Sequence, residues 1–195
     1  MIKTKRDLMF YLAADQCALG VRSNSYLSKV KLLIFPDYCW KFQRLLRKCE
    51  YHRNNRKSLF HLLLFTICYR KFHKLSAKLG FSIPLNVFGP GLSIVHYGTI
   101  VVSPNARVGA NCRIHPSTCI GASGGKSEAP TIGDNVYIGP GAKIYGSIEL
   151  ANNIAIGANA AVNKSFLEEG ILIAGVPAKK IKEVDITSII KHLEP

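Results

Sequence analysis

Thr131-Ile132-Gly133-Asp134-Asn135-Val136-Tyr137-Ile138-Gly139-Pro140-Gly141-Ala142 is a six-residue pattern written twice. An aliphatic residue is followed by Gly, then by Asn or Gly two places on, then by a small or aliphatic residue. Extended in both directions, the register puts aliphatic side chains at Val102, Val108, Ile114, Ile120, Ile132, Ile138, Ile144, Leu150, Ile156 and Val162. One slot fails, at Lys126. A period of six fits neither the helical period of about 3.6 nor the strand period of about 2, so it marks a repeat architecture. Each aliphatic residue points inward from a short strand. The Asn or Gly at position four tolerates the left-handed backbone of a sharp corner. Three such faces close a triangular coil of about 18 residues, stacked at roughly 4.8 Å on the next. The interior of this parallel β-helix holds only side chains, so any ligand binds outside it.

Charge divides the chain. Residues 1–80 carry 17 Lys and Arg against 4 Asp and Glu, while residues 81–195 carry 9 against 8. The formal net charge of +14 is therefore almost wholly a property of the first eighty residues. The hydrophobic pattern changes at the same place, where Gly80, Pro84, Gly89, Pro90 and Gly91 punctuate the chain. Before it the pattern is helical. Thr4 precedes a helix through Leu8–Leu12. Trp40, Phe42, Leu45, Leu46 and Cys49 form a stripe at helical spacing, and Ser58 is placed to cap a helix from Leu59 to Leu79. Its apolar core, Leu59 to Tyr69, is too short to cross a bilayer. With Arg56, Lys57, Arg70 and Lys71 around it, the segment is compatible with a membrane surface. The reading preferred here is a helix packed on the β-helix or on a neighbouring subunit. No nucleic-acid-binding motif accompanies the basic half, and nucleic acid is not an expected partner. Charged residues among the first twenty argue against a secretory signal. The six cysteines form no Cys-x-x-Cys pair and read as reduced cytoplasmic thiols.

From about Ile83 to Lys182 the chain resembles the serine acetyltransferase branch of the hexapeptide-repeat acyltransferases. The residues that carry the likeness are His96-Tyr97-Gly98-Thr99-Ile100-Val101-Val102, Ile120-Gly121-Ala122-Ser123-Gly124-Gly125-Lys126, the stretch from Thr131 to Ala142, and Ala174-Gly175-Val176-Pro177-Ala178-Lys179. The fold it implies is α+β: a basic helical region over 1–80, a left-handed parallel β-helix over 81–182 and a tail over 183–195, in which 185–193 reads as a short helix. It also implies acetyl-CoA as co-substrate, no metal, and a homotrimer with sites between adjacent prisms. A three-histidine zinc site is excluded from the repeat, which holds only His96 and His115.

Transfer of acetyl to an alcohol needs a general base, and neutral imidazole suits that task. His96 matches the family's catalytic His and lies just before a slip in the register between Ile100 and Val102. His115, about one coil further on, faces outward and is a candidate for acceptor binding. His52, His61, His73 and His192 lie outside the repeat and read as ordinary helix residues. Gly98 and the Gly124-Gly125 pair are candidates for stabilising the oxyanion through their amides. A Lys is costly inside an aliphatic prism, so Lys126 implies that the segment from Ala122 to Thr131 leaves the coil. By resemblance this loop, with Gly124, Gly125 and Lys126, walls the acceptor pocket. Motif matching assigns Pro140, Ala142, Ala158, Asn163 and Lys164 to the CoA arm, and Lys179 and Lys182 to its phosphates.

Two family features are missing. The carboxylate that pairs with the catalytic His is replaced by Phe81-Ser82-Ile83-Pro84, and a loop His by Ala129-Pro130-Thr131-Ile132. These losses point to a sugar hydroxyl of a surface polysaccharide or its precursor as acceptor, in the cytoplasm or at the inner face of the membrane. The alternatives are serine O-acetylation, the feeder of cysteine synthesis, and a non-catalytic trimeric module.

Overall fold

The computed structural model describes residues 1–21 and 34–193. Among the described residues, helices α1 (Lys5–Leu19), α2 (Tyr38–Asn54) and α3 (Leu59–Leu79) precede the prism. α1 opens with a capping box, in which Thr4 Oγ1 accepts from Asp7 N at 3.0 Å and the Asp7 carboxylate accepts from Thr4 N at 2.8 Å. Asp37 caps α2 through Trp40 N. Ser58 stands at the start of α3, but contrary to expectation its hydroxyl makes no capping bond. α3 runs back along α2. Phe42 stacks on Phe72 at 5.1 Å and meets Phe81 edge-on at 4.9 Å, joining both helices to the prism. α3 buries Phe72, Leu75 and Leu79 in its second half; within Leu59–Tyr69 no residue is buried, Phe65 and Cys68 pack partly against the core, and Leu59, Phe60, Leu63 and Ile67 are exposed.

The prism has three faces. The first stacks β1 (Phe81–Ser82), β3 (Ile100–Val102), β6 (Thr118–Gly121), β9 (Lys143–Tyr145) and β12 (Ala161–Val162). The second holds β4 (Arg107–Val108), β7 (Thr131–Ile132) and β10 (Glu149–Leu150). The third stacks β2 (Ser93–Ile94), β5 (Arg113–Ile114), β8 (Tyr137–Ile138), β11 (Ala155–Ile156), β13 (Ile171–Ala174) and β14 (Lys179–Glu183). All pairings are parallel except β13 with β14. The hexad aliphatics line up through the coils: on the third face Ile94, Ile114, Ile138, Ile156 and Ile173 form one column with no exposed surface. Six of the ten position-four residues take the left-handed backbone that the pattern predicts, while Asn105, Ser123, Ser147 and Ser165 do not. Asn111, Ser117, Asn135, Asn153, Asn159 and Gly141 all have positive φ. Asn111, Asn135 and Asn153 are further joined by amide hydrogen bonds of 2.9 Å from coil to coil.

The top coil has no full coil above it, so its backbone groups need partners. The helices supply them. Arg47 of α2 is wholly buried and uses all five of its N–H directions. Nε and Nη2 donate to the Asp15 carboxylate at 2.8 and 3.1 Å, Nη1 to Glu50 at 3.1 Å and Phe88 O at 2.9 Å, and Nη2 to Gly89 O at 2.6 Å. Asp15 accepts in turn from the amides of Gly91 and Leu92, both at 2.9 Å, and Glu50 from Asn86 N at 2.7 Å. Gln43 completes the cap, donating to Leu92 O and accepting from Ile94 N.

The tail differs from expectation. Instead of one helix it makes two 3₁₀ turns, Ile186–Ser188 and Lys191–Leu193. Ile186 and Ile190 pack with Ala155, Tyr137 and Leu172 on the outside of the third face. Each needs a hydrophobic platform, and the outward residues of β8, β11 and β13 provide it.

Ile138 sits mid-column with neighbours above and below. Ile138→Ala should therefore lower unfolding stability by about 2–5 kcal/mol, read as a fall in the urea midpoint at unchanged slope.

Candidate active site

The register slip lies before Ile100, not between Ile100 and Val102 as the sequence suggests, because Ile100 to Val102 all pair eighteen residues on. Ile94 pairs with Ile114, twenty residues on, whereas Val102 pairs with Ile120, eighteen on. The two surplus residues are accommodated between β2 and β3, and the exposed His96 lies in that bulge. Gly98 lets the chain return, with φ of 140°. A Cβ placed on it would lie 3.1 Å from Pro116 Cβ, so the bulge rests directly on the corner below. That corner continues down the prism. Gly141 N donates to Pro116 O at 3.0 Å, Asn159 N to Pro140 O at 2.9 Å, and Ala161 N to Gly175 O at 2.9 Å. His96 thus heads a column of small corner residues in which Pro140 and Ala158 are exposed members.

The other assigned residues divide. Lys179 pairs with Ala174 at the foot of this column, and Lys182 pairs with Leu172, further along the strand. Asn163 and Lys164 follow β12 and lie one strand away from the column; Lys164 sits over the Phe166 ring at 5.4 Å. Ala142 is fully buried, with its amide bonded to Gly139 O and its carbonyl to Cys119 N, so it cannot touch a ligand on the outside. Gly98 is also corrected as an oxyanion donor, because its amide already donates to Leu79 O at 3.0 Å.

Residues 122–128 leave the coil as an exposed loop, with Lys126 in water. Gly124 and Gly125 have positive φ, and the loop is tied back by Asn105 Nδ2 to Ser127 O at 2.8 Å.

His115 lies one coil below His96, with ring centroids 6.4 Å apart, and its other side faces Tyr137 at 5.1 Å. Its Nε2 is buried and has no hydrogen-bond partner. Burial first, then the charge of Arg113 and the neighbouring His96, hold its pKa below the usual imidazole range. His192 approaches the same face, 3.4 Å from Asn111 Oδ1, and its pKa is also lowered by burial and by Arg113. Sequence reading missed Tyr137 and His192 here. Tyr137 had a signal: with Arg113 and Ala155 it occupies the outward place just before the inward aliphatic. His192 had none, since it arrives through the tail. His52 and His61 are not independent either; their Nδ1 atoms are 3.0 Å apart. Among the described residues no cluster could hold a metal ion, and no helix is long and apolar enough to cross a membrane.

With this geometry in view, residues 129–164 match the bacterial transferase hexapeptide (six repeats) family. Over 100 residues the chain is 37% identical to the serine acetyltransferase of Mycobacterium tuberculosis (strain ATCC 25618 / H37Rv), covering 50% of this chain and 43% of that protein. It is 35% identical over 104 residues to the serine acetyltransferase of Buchnera aphidicola subsp. Schizaphis graminum (strain Sg), covering 52% and 40%. The chain spans less than half the length of these curated relatives. The crystal structure of serine acetyltransferase from Brucella abortus strain S19 superimposes with a TM-score of 0.71 at 25% identity, covering 94% of this chain and 72% of that one. The same enzyme in complex with coenzyme A gives 0.68 at 26% identity, covering 93% and 70%. The architecture is the left-handed β-helix of those enzymes.

These likenesses overturn the expectation of a polysaccharide acceptor, because relatives in both sequence and structure are serine acetyltransferases. The structure gives a physical reason for the misreading. Phe81 and Ile83, which stand where a carboxylate was sought, are only 4% exposed and pack in the core that joins helices to prism. Their identity answers to packing, not to an acceptor.

His115 and His192 both have lowered pKa values, so the folded chain binds their protons less readily than the unfolded chain. Their penalty is absent above the ordinary imidazole value of about 6.5. It grows as pH falls below that value and stops growing below the lowered folded values. Urea midpoints should therefore decline as pH drops through this window, and His115→Gln should make the decline shallower. An unchanged slope would remove His115 from the account.

Proposed function

We propose that this chain is an acetyl-CoA-dependent serine O-acetyltransferase, working in the cytoplasm as a homotrimer, with His96 as its general base. The observation that carries the reading is the corner column: an exposed imidazole at its head, small residues at Pro140 and Ala158 below it, and Lys179 at its foot. Three coil steps of about 4.8 Å separate His96 from Ala158, a run over which an extended pantetheine arm can lie with its thioester toward the imidazole. Serine acetyltransferases as neighbours, one of them solved with coenzyme A, support both the donor and the acceptor.

In this reading neutral His96 takes the proton from the serine hydroxyl as its oxygen attacks the thioester carbonyl. The tetrahedral adduct collapses by breaking the carbon–sulfur bond, and the departing thiolate takes up the proton. The products are O-acetylserine and free CoA. His115, with its unpartnered Nε2, is assigned to the acceptor, and Lys179 to a CoA phosphate as a point charge. Lys182, Asn163 and Lys164 fit this site less well within one chain. They would serve it only across a subunit boundary, where the loop carrying Gly124, Gly125 and Lys126 would also reach. The trimer supplies the walls that a single convex prism lacks.

The test is thiol release from acetyl-CoA with L-serine as acceptor. The full chain should turn over with L-serine, and His96→Ala should lower kcat by about 10²–10⁴-fold while the trimer persists in sedimentation. Absence of serine-dependent thiol release would overturn the acceptor. Undiminished release by His96→Ala would overturn the mechanism.

A further inference from the structure

α2 and α3 face each other across a groove of about 660 Å³. Its polar lining is cationic: Lys41, Arg44 and Lys48 from α2, and Lys71, Lys74 and Lys78 from α3. The helices run antiparallel, so the six side chains form two facing ladders of like charge. Among the described residues none of the six forms an ion pair with a carboxylate. The helical half has none to spare. Of the four acids in residues 1–80, Asp15 and Glu50 are buried on Arg47, and Asp7 and Asp37 are engaged at helix N-termini. Facing ladders of one sign repel unless an anionic surface lies across them.

The α3 ladder continues as something else. Phe60, Leu63, Ile67, Lys71, Lys74 and Lys78 are spaced by three or four residues and form a single stripe. Its first half is apolar and open to water, with Phe60 66%, Leu63 62% and Ile67 47% exposed. Its second half is the cationic wall of the groove. A nucleic acid or an acidic peptide would satisfy the cations and leave Phe60, Leu63 and Ile67 in water. A second copy of the same face would cover the apolar half and oppose the two cationic halves.

We propose that this stripe and groove dock the protein on an anionic lipid bilayer, with lipid phosphates along the groove and Phe60, Leu63 and Ile67 in the acyl boundary. The contact is peripheral and involves neither the corner column nor His96, so it stands apart from the choice of acceptor.

The experiment is flotation of the full chain with phosphatidylcholine vesicles, with and without phosphatidylglycerol, at low and high salt. Recovery should require phosphatidylglycerol and fall as salt rises. K71E/K74E/K78E should weaken the partition constant by about a hundredfold or more, and L63S/I67S by at least about tenfold. Serine-dependent thiol release in solution should be unchanged in both variants, which reports that they fold and separates this test from that of the reaction. No recovery of the full chain with phosphatidylglycerol vesicles at low salt would overturn the proposal, as would full binding by either variant. A lower sedimenting mass for L63S/I67S with unchanged vesicle recovery would assign the face to a second copy instead.

Discussion

The buried guanidinium of Arg47 holds the two halves of this chain in one structure. A charge taken out of water is costly unless every donor finds a partner and the charge is balanced. Here the partners come from three directions: Asp15 from the first helix, Glu50 from the same helix as Arg47, and the carbonyls of Phe88 and Gly89 from the top coil. The carboxylates are themselves satisfied by the amides of Asn86, Gly91 and Leu92. A β-helix must end somewhere, and its last coil exposes a row of unpaired backbone groups. This network, with Gln43 beside it, covers that row with side chains of the helical half.

The cap bears on the site because β2, which leads into the His96 bulge, belongs to the capped coil. Ile94 N is held by Gln43, and Gly98 N is held by the end of α3 through Leu79 O. The bulge therefore has an anchor on either side. Below it the corner repeats in register, so the exposed imidazole and the small residues beneath it share one edge of the prism. Phe81 and Ile83 fasten the helices to the prism as well, and core positions are filled by shape.

How much was legible in the sequence follows from how each feature is encoded. The hexads specify the prism because every inward place demands an aliphatic and every tight corner an Asn, Ser or Gly; the slip and the Lys126 loop are legible as breaks in that rule. His96 and the exposed Pro140 and Ala158 inherit their places from the register. Ala142 was misjudged because small size reads alike for a corner that must be tight and for a surface that must admit a ligand. Arg47 was invisible among many basic residues, since its partners outside its own helix lie 32, 41 and 42 residues away in sequence. His192 reaches Asn111 only through the path of the tail. The acceptor was misread because missing residues were taken as chemistry where packing governs.

Hydrogen–deuterium exchange on Asp15→Asn, compared with the parent chain, tests the capping network most directly. The substitution keeps the shape and removes the charge that Arg47 and the amides of Gly91 and Leu92 share. The account predicts faster exchange at Gly91, Leu92 and Ile94, spreading to the His96 bulge, while the amides of β8, β9 and β11 keep their protection. Unchanged protection of the top coil, or uniform loss throughout the prism, would contradict it.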